Sequence, residues 1–126
     1  MEEYRLIIAG GRDFSNYNLL RLNLDAILEK LNENNISLTI ICGMAKGADM
    51  CGWNWAKNNN IPILEYPANW QLHGKAAGPI RNQEMAQVAN GLIAFWDGTS
   101  RGTSHMINTM RELKKDVCVI KYYTYD

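Results

Sequence analysis

Short apolar runs alternate along the chain with longer segments of helical periodicity. Five runs rich in β-branched residues predict strands over residues 6–9, 38–42, 61–66, 92–96 and 117–120. Continuous apolar runs are typical of strands that are buried on both faces of a parallel sheet. Pro62 lies inside the third run, which predicts a strand that begins there or lies at the sheet edge.

The segments between these runs carry apolar residues at spacings of three, four, seven and eight, which predict helices with one buried stripe each. We expect four such helices, with their stripes over residues 20–31, 48–56, 79–89 and 103–113. Pro79 suits the first turn of the third helix. Five strands and four helices in strict alternation predict a single α/β domain over residues 1–126, with a parallel sheet between two layers of helices.

The charge balance restricts the kinds of partner. Thirteen basic and thirteen acidic residues in a chain of 126 give a net charge of zero, which argues against a membrane-surface protein or a general nucleic-acid coat. No apolar run approaches the roughly 20 residues that cross a bilayer, and the first residues lack a secretory signature. Three cysteines without a paired spacing suggest free thiols in a reducing cytoplasm. We therefore expect a cytoplasmic protein with neither a membrane nor a nucleic acid as partner.

Most of the glycines follow the predicted strands. In an open parallel sheet such segments meet at one edge, beside the point where the strand order reverses. Glycine there lets backbone N–H groups approach a ligand, and the helix N-termini that follow favour phosphate. The alternative is that these glycines only form turns, but four converging segments favour a ligand site. Eight of the ten glycines lie in them: Gly10, Gly11, Gly43, Gly47, Gly74, Gly78, Gly98 and Gly102.

Charged residues occupy the same four segments, and most of them are basic. Arginine suits phosphate oxygens, whereas an aspartate accepts hydrogen bonds from ribose hydroxyls. The alternative is that some of these charges only pair with each other across the loops. The two histidines have no acidic partner at ligand spacing, so we expect no metal and no cofactor. The charged residues are Arg12, Lys46, Lys75, Arg81, Arg101, His73 and His105, against Asp13, Asp49 and Asp97.

Trp70 differs from the other tryptophans in its surroundings. It follows the irregular segment 67–69 and precedes the basic loop. It therefore suits a wall against an aromatic base, with simple loop packing as the alternative. Trp55 and Trp96 lie in core-like patterns and are expected to be structural.

Four motifs, taken together and in chain order, resemble the YspA-like (cpYpsA-related) family of the SLOG superfamily, which includes the Smf/DprA and LOG proteins. The resemblance implies a Rossmann-like fold with strand order 3-2-1-4-5, which right-handed crossovers also favour. It further implies a homo-oligomer that binds nucleotides or nucleotide-derived ligands. Many members are thought to act in conflicts between bacteria and phages or other mobile elements. The motifs are Gly10-Gly11-Arg12-Asp13-Phe14, Gly43-Met44-Ala45-Lys46-Gly47-Ala48-Asp49, Gly74-Lys75-Ala76-Ala77-Gly78-Pro79-Ile80-Arg81-Asn82 with Met85, and Phe95-Trp96-Asp97-Gly98-Thr99-Ser100-Arg101-Gly102-Thr103.

The fourth motif departs from that of the LOG enzymes at one position. LOG enzymes have a Gly-Gly-x-Gly-Thr-x-x-Glu loop whose glutamate helps to cleave the N-glycosidic bond of a nucleoside monophosphate. Met106 stands at the glutamate position here, and a thioether handles no proton. Arg81 matches the arginine of the LOG Arg-Lys-x-x-Met helix, but Asn82 replaces the lysine. The resemblance thus retains the phosphate-binding half of a LOG site and loses the hydrolytic half.

We therefore predict a binding protein, either a sensor or a sequestering protein, for a phosphorylated nucleotide or a nucleotide-derived signal. We assign no catalytic residue. The first alternative is a nucleotide N-glycosidase that uses Asp97 or Glu84 as its carboxylate, and the second is single-stranded DNA binding. The predicted ligand-binding residues are Gly10, Gly11, Arg12, Asp13, Gly43, Lys46, Gly47, Asp49, Trp70, Lys75, Arg81, Asn82, Asp97, Gly98, Ser100, Arg101, Gly102 and Thr103.

Overall fold

Five strands form one fully parallel sheet in the computed structural model, which describes residues 2–123. Their order across the sheet is β3-β2-β1-β4-β5, as predicted. The last strand along the chain therefore lies at one edge and the short third strand at the other. The strands are β1 (Glu2–Gly10), β2 (Ile36–Cys42), β3 (Ile63–Glu65), β4 (Gly91–Trp96) and β5 (Asp116–Lys121).

Four long helices connect the strands, which confirms the α/β class. A further helix was not predicted, and neither was the 3-10 turn that follows it, because a single turn has no repeating apolar stripe. This helix is one turn long and lies in the segment before the third long helix, where Asn69 accepts a hydrogen bond from the Leu72 amide and so caps it. The helices are α1 (Tyr17–Glu33), α2 (Ala48–Asn58), the one-turn α3 (Trp70–His73), α4 (Ala77–Val88) and α5 (Arg101–Glu112), with a 3-10 turn at Gly74–Ala76 between α3 and α4.

The strand limits differ from the predicted runs in a way that pairing explains. β1 begins at Glu2, ahead of its apolar run, because residues 2–5 continue the parallel register with β2. β3 begins just after Pro62 and lies at the sheet edge, as the proline predicted. Pairing with a neighbouring strand thus extends a strand beyond its apolar residues, whereas β3 pairs with β2 over three residues only.

Two apolar clusters fill the space on the two faces of the sheet. Alternate β1 residues point to opposite faces, so Ile8 belongs to one cluster and Ile7 to the other. The helices α1 and α2 cover the first cluster, which includes Trp55 at 0% exposure. The helices α4 and α5 cover the second, which includes Met85 and Met106. The strands are therefore buried on both sides, as their continuous apolar runs predicted.

The carboxyl ends of β1 and β4 lie side by side at the centre of the sheet. Gly10 pairs with Phe95, and the Gly11 amide donates to the Phe95 carbonyl at 3.1 Å. A Cβ atom at Gly10 would overlap this carbonyl and the Ala48 side chain, so only glycine fits. The chain leaves β1 toward β2 on one side, whereas β4 lies on the other side of β1. The loops that follow β1 and β4 therefore run in opposite directions, which leaves a crevice between them.

The three cysteines differ in accessibility. Cys42 is buried and Cys51 is half-buried, whereas Cys118 on β5 is exposed. Burial raises the pKa of the Cys42 thiol to about 12 and also raises the pKa of Cys51. Within residues 2–123, no three His, Cys, Asp or Glu side chains are grouped so that they could hold a metal ion. No helix in the described part of the chain has the length and hydropathy that crossing a bilayer requires.

Candidate functional site

A cavity of about 680 Å³ opens at the carboxyl edge of the sheet, above the ends of β1 and β4. Its walls come from the loop after β1, the N-terminal parts of α2 and α4, the helix α3 and the segment between β4 and α5. All four of the glycine-containing, charged segments that follow the predicted strands contribute residues to this cavity. Its volume lies in the range of about 300–1,000 Å³ that ligand pockets usually have.

Most of the predicted ligand residues line this cavity. The structure brings together thirteen of the eighteen, although their contact with a ligand stays a prediction. They are Gly10, Gly11, Arg12, Asp13, Asp49, Trp70, Arg81, Asn82, Asp97, Ser100, Arg101, Gly102 and Thr103.

The other five predicted residues lie around the cavity but do not line it. Lys46 and Lys75 are exposed side chains on the loops. Gly43 is buried behind Arg81 and accepts a hydrogen bond from it. Gly47 packs against the backbone of the loop after β1, and Gly98 forms a turn with a φ of +91°. These three glycines act on the site through the shape of the loops.

Sequence reasoning did not assign seven residues that line the cavity. Two of them bear on the chemistry of the site. His105 carries a polar ring, and Met106 stands where LOG enzymes have a glutamate. Met106 is 1% exposed and packs in the core with Met110, as its place in the helical stripe predicted. The sequence signal for His105 was its place two residues after Thr103, a predicted ligand residue. The seven are Ala9, Ala45, Gly78, Pro79, Met85, His105 and Met106.

Arg81 is held at the cavity wall by two hydrogen bonds. Its Nη1 donates to the Gly43 carbonyl at 2.5 Å, and its Nε donates to Asn82 Oδ1 at 3.0 Å. Asn82 is buried, and its Nδ2 donates to the Gly102 carbonyl at 3.3 Å. In the described part of the chain, the remaining guanidinium donors of Arg81 make no hydrogen bond. The arginine is thus fixed by the loop after β2 and by Asn82, which in turn contacts the start of α5.

Asp49 is a buried carboxylate at the second residue of α2, next to Arg81. Its exposed fraction is 6%, and its Oδ2 accepts from the Ala45 amide at 3.3 Å. Burial raises the pKa of Asp49 to about 6, although the Ala45 amide and the charge of Arg81 act in the opposite direction. The carboxylate therefore changes its protonation state close to neutral pH.

The loop between β4 and α5 is stabilised by a turn in which Asp97 accepts backbone hydrogen bonds. Asp97 Oδ1 accepts from the amides of Thr99 and Ser100 at 2.9 and 2.8 Å, and these bonds lower the pKa of Asp97. Trp96 Nε1 donates to the Ser100 carbonyl at 3.1 Å, so this tryptophan supports the loop as well as the core. Among the described residues, no side chain caps the N-terminus of α5, which leaves its first amides available to an anion.

The loop after β1 is tied to the chain beyond β5. Tyr122 donates its phenolic hydrogen to Asp13 Oδ1 at 2.6 Å, and its ring packs against Phe14 with 5.0 Å between the ring centres. Burial and the Asp13 carboxylate together hold the pKa of Tyr122 well above its usual range. One Asp13 oxygen therefore already accepts from Tyr122, and the other has no such bond within residues 2–123.

The basic residues of the site have no carboxylate partner within 4 Å. The ion pairs found in residues 2–123 are Arg5–Glu3 and Arg21–Asp25, and both lie outside the cavity. No ion pair within 4 Å therefore joins the loop charges of the described residues, although the charges of Arg81 and Arg12 still act on Asp49. Arg12 and Arg101 are exposed at the cavity rim, and Arg81 lies deeper.

Trp70 lines the cavity from α3 while 53% of its surface remains exposed. Its ring edge would contact a Cβ placed on Gly78 at 3.6 Å, so it lies over the start of α4. The exposed part of the ring is accessible to a ligand, and stacking of an aromatic base on it stays a prediction.

The fold defines a Rossmann-like α/β protein with a cavity at the switch point of its parallel sheet. The model of the YspA, cpYpsA-related SLOG family matches residues 4–73, and the chain belongs to that family. The chain is also 33% identical over 117 residues to the Gene 61 protein of Mycobacterium phage D29, an alignment that covers 88% of this chain and 89% of the phage protein.

A solved structure supports the fold independently. DNA processing protein A (DprA) from Streptococcus pneumoniae superposes with a TM-score of 0.71 over 99% of this chain, at 18% identity. At that identity the likeness concerns the fold alone. The chain spans about half the length of DprA, 52% of it.

Proposed function

We propose that the protein binds a phosphorylated nucleotide or a nucleotide-derived signalling molecule in this cavity. The observation that carries the proposal is the combination of Arg81, which has no carboxylate within 4 Å in the described residues, with the uncapped N-terminus of α5. Free guanidinium donors and free helix amides are both suited to phosphate oxygens. Membership of a SLOG family agrees with a nucleotide-related ligand.

The rest of the cavity suits the remainder of a nucleotide. Trp70 offers a ring on which a base can stack, and the second oxygen of Asp13 can accept from a ribose hydroxyl. Phosphate therefore lies beside α5 in this proposal, with the base toward α3.

A thermal-shift screen against AMP, ADP, NAD and ADP-ribose tests the proposal. A ligand present at 100 times its dissociation constant stabilises the native state by about 2.7 kcal/mol, which raises the melting temperature measurably for a domain of this size. We expect at least one phosphorylated compound to raise it, and the matching nucleoside without phosphate to have no effect. Equal shifts with nucleoside and nucleotide would contradict a phosphate site.

A nucleotide N-glycosidase is a second candidate, because Asp97 lines the cavity. The amides that lower its pKa keep Asp97 ionised, so it could stabilise a positive charge but could not donate a proton at neutral pH. Glu84 is exposed on α4 and does not line the cavity, so Asp97 is the better supported carboxylate for this candidate. Incubation with AMP, NAD and ADP-ribose, followed by chromatography for released base, tests this candidate.

Single-stranded DNA also stays a candidate ligand. The expectation against nucleic acid rested on the zero net charge and gains no support from a structural neighbour titled as a DNA processing protein. Binding to a labelled oligonucleotide at rising salt separates the two ligands, because contacts to several phosphates give a steep salt dependence.

The proposal includes the cellular setting that the resemblance implies. A homo-oligomer in the cytoplasm that senses or sequesters a nucleotide signal during phage–host conflict fits the similarity to a phage protein. Light scattering after size-exclusion chromatography tests the oligomer, since a mass near 14.3 kDa would identify a monomer.

A further inference from the structure

His105 is a polar residue of the cavity wall to which the proposed function gives no role. It lies on α5, two residues after Thr103, and is half-buried. Its Nδ1 lies 3.1 Å from Asn82 Nδ2. If Nδ1 accepts a hydrogen bond from Asn82, the hydrogen of the neutral ring is on Nε2, which is then a donor. If Nδ1 donates, Nε2 is an acceptor.

Two independent contacts fix the orientation of the Asn82 amide. Arg81 Nε can only donate, so the Asn82 atom that faces it at 3.0 Å is the carbonyl oxygen. The Gly102 carbonyl can only accept, so the atom that faces it at 3.3 Å is the amide nitrogen. The same nitrogen faces His105, and an amide nitrogen has hydrogens but no available lone pair.

The orientation of Asn82 therefore sets the tautomer of His105. Nδ1 must present its lone pair to Asn82, so the hydrogen of the neutral ring is on Nε2. Within residues 2–123, the one side-chain hydrogen bond of His105 is at Nδ1, and Nε2 has no partner. The ring thus offers one N–H donor with a fixed direction at the cavity wall.

We infer that His105 is a ligand-binding residue that donates through Nε2 to a phosphate oxygen, and that Asn82 is the residue that positions it. This inference rests on the proposed function, because the phosphate is the one held by Arg81 and the start of α5. Asn82 contacts Arg81, Gly102 and His105, so one buried amide sets the relative placement of all three groups. A neutral donor adds a directional bond beside the charge of Arg81.

The tautomer can be measured without any ligand. The chain has two histidines, and the other, His73, is exposed at the end of α3. Two-bond proton–nitrogen correlation spectra of protein labelled with 15N-histidine distinguish the tautomers, and His73→Gln assigns the signals. We expect His105 to carry its hydrogen on Nε2. A ring with its hydrogen on Nδ1 would overturn the inference while leaving the proposed function untouched.

Asn82→Asp tests the positioning role. The carboxylate keeps an acceptor for Arg81 Nε but presents an acceptor to His105 in place of a donor. We expect the ring then to carry a hydrogen on Nδ1, as the other tautomer or as the doubly protonated ring. An unchanged Nε2–H spectrum in a folded Asn82→Asp variant would show that Asn82 does not position the ring.

Titration with inorganic phosphate, followed by the His105 Nε2 shift, tests the ligand contact. We expect His105→Ala to weaken phosphate binding roughly 10- to 100-fold. His105→Gln, whose side-chain nitrogen can reach the position of Nε2, should restore most of the affinity. Wild-type affinity in His105→Ala, with loss in Arg81→Ala, would overturn the His105 contact alone. Absence of phosphate binding in the wild type would overturn the proposed function together with this contact.

Discussion

Two side chains of opposite charge, Arg81 and Asp49, lie next to each other at the inner wall of the cavity. Arg81 is anchored to Gly43 and Asn82, and Asp49 is anchored to the Ala45 amide. The arginine keeps free donors, whereas the aspartate is almost fully removed from solvent. In the proposed site we therefore expect anion binding to depend on Arg81, and the charge of an ionised Asp49 to oppose it.

Replacement of Arg81 tests the anchor of the proposed phosphate site. Arg81→Ala should weaken binding of any nucleotide found in the thermal screen by about 1.5–3 kcal/mol, the usual contribution of a hydrogen bond to a charged group. Isothermal titration measures the loss. Arg111→Ala is the matched control, since it removes the same charge from an exposed position in the last turn of α5. Equal affinities in the two folded variants would contradict the model.

Asp49 should make the stability of the protein depend on pH. Its pKa in the folded state, about 6, lies above its ordinary value of 3.8, so between these values the folded state holds a proton that the unfolded state has lost. The free energy of unfolding therefore falls as the pH rises from about 4 to 6. Above about pH 6 the destabilisation by the ionised, buried carboxylate has its full value, which is the cost of this charge. At about 1.4 kcal/mol per pH unit the cost approaches ~3 kcal/mol.

Asp49→Asn removes this cost, because the amide keeps an acceptor for Ala45 and carries no charge. We expect a more stable variant at pH 7 and a smaller change in stability between pH 4 and 6, as measured by urea unfolding. Glu84→Gln is the control, because that carboxylate is exposed on α4. An Asp49→Asn variant that is no more stable than the wild type at pH 7 would contradict the burial argument.

At the scale of elements, the site depends on a contact between the two ends of the described chain. The loop after β1 carries Asp13 and Phe14, and the residue that follows β5 by one position, Tyr122, contacts both. A Cβ on Gly11 would overlap the Tyr122 hydroxyl, so the loop and the tyrosine fit together closely. The chain beyond β5 thus helps to fix the position of the glycine loop.

Tyr122→Phe isolates the hydrogen bond from the ring packing. The phenylalanine keeps the contact with Phe14 and loses the bond to Asp13, and the carboxylate is free to hydrate because Asp13 is exposed. We expect a loss of about 1 kcal/mol in the free energy of unfolding, measured with urea. Tyr123→Phe should have no effect, because 76% of that side chain is exposed. A larger loss from Tyr123→Phe than from Tyr122→Phe would contradict the assigned contact.

Elements with a repeated pattern could be predicted from the sequence, and local ones could not. The stripes of α1, α2, α4 and α5 repeat over several turns, and each apolar run marked a strand. The turn Trp70–His73 has one residue per face and no repeat, so only the Asn69 cap could have indicated it. The contact of Tyr122 with Asp13 joins residues 109 positions apart, and local periodicity carries no information about such a pair.

At the scale of the whole molecule, the topology determines which residues meet. Strand alternation and right-handed crossovers predicted that four loops share one edge, and thirteen predicted residues line one cavity there. Lys46 and Lys75 are exposed outside the cavity lining, because the direction of a loop side chain depends on backbone angles that composition does not reveal. The place of the cavity could thus be predicted, but the directions of individual side chains could not.

The whole site is expected to bind its ligand without converting it. Met106, at the position of the LOG glutamate, is buried in the core and handles no proton. Asp97, in the loop between β4 and α5, is then the carboxylate that could take part in catalysis. After long incubation of excess protein with each ligand from the thermal screen, mass analysis should recover the ligand intact. Free base beyond one equivalent, absent with Asp97→Asn, would instead assign the protein to the hydrolases.

The unequal burial of the three cysteines has a practical consequence for such experiments. A maleimide reacts with thiolate, and the raised pKa values of Cys42 and Cys51 leave little thiolate at pH 7.5, about the pH used for labelling. Cys118 is exposed on β5, three residues before Lys121 and hence about 10 Å along the strand from its cavity end. A single fluorophore can therefore be attached to the natural sequence at a known place, where its emission can report occupancy of the cavity.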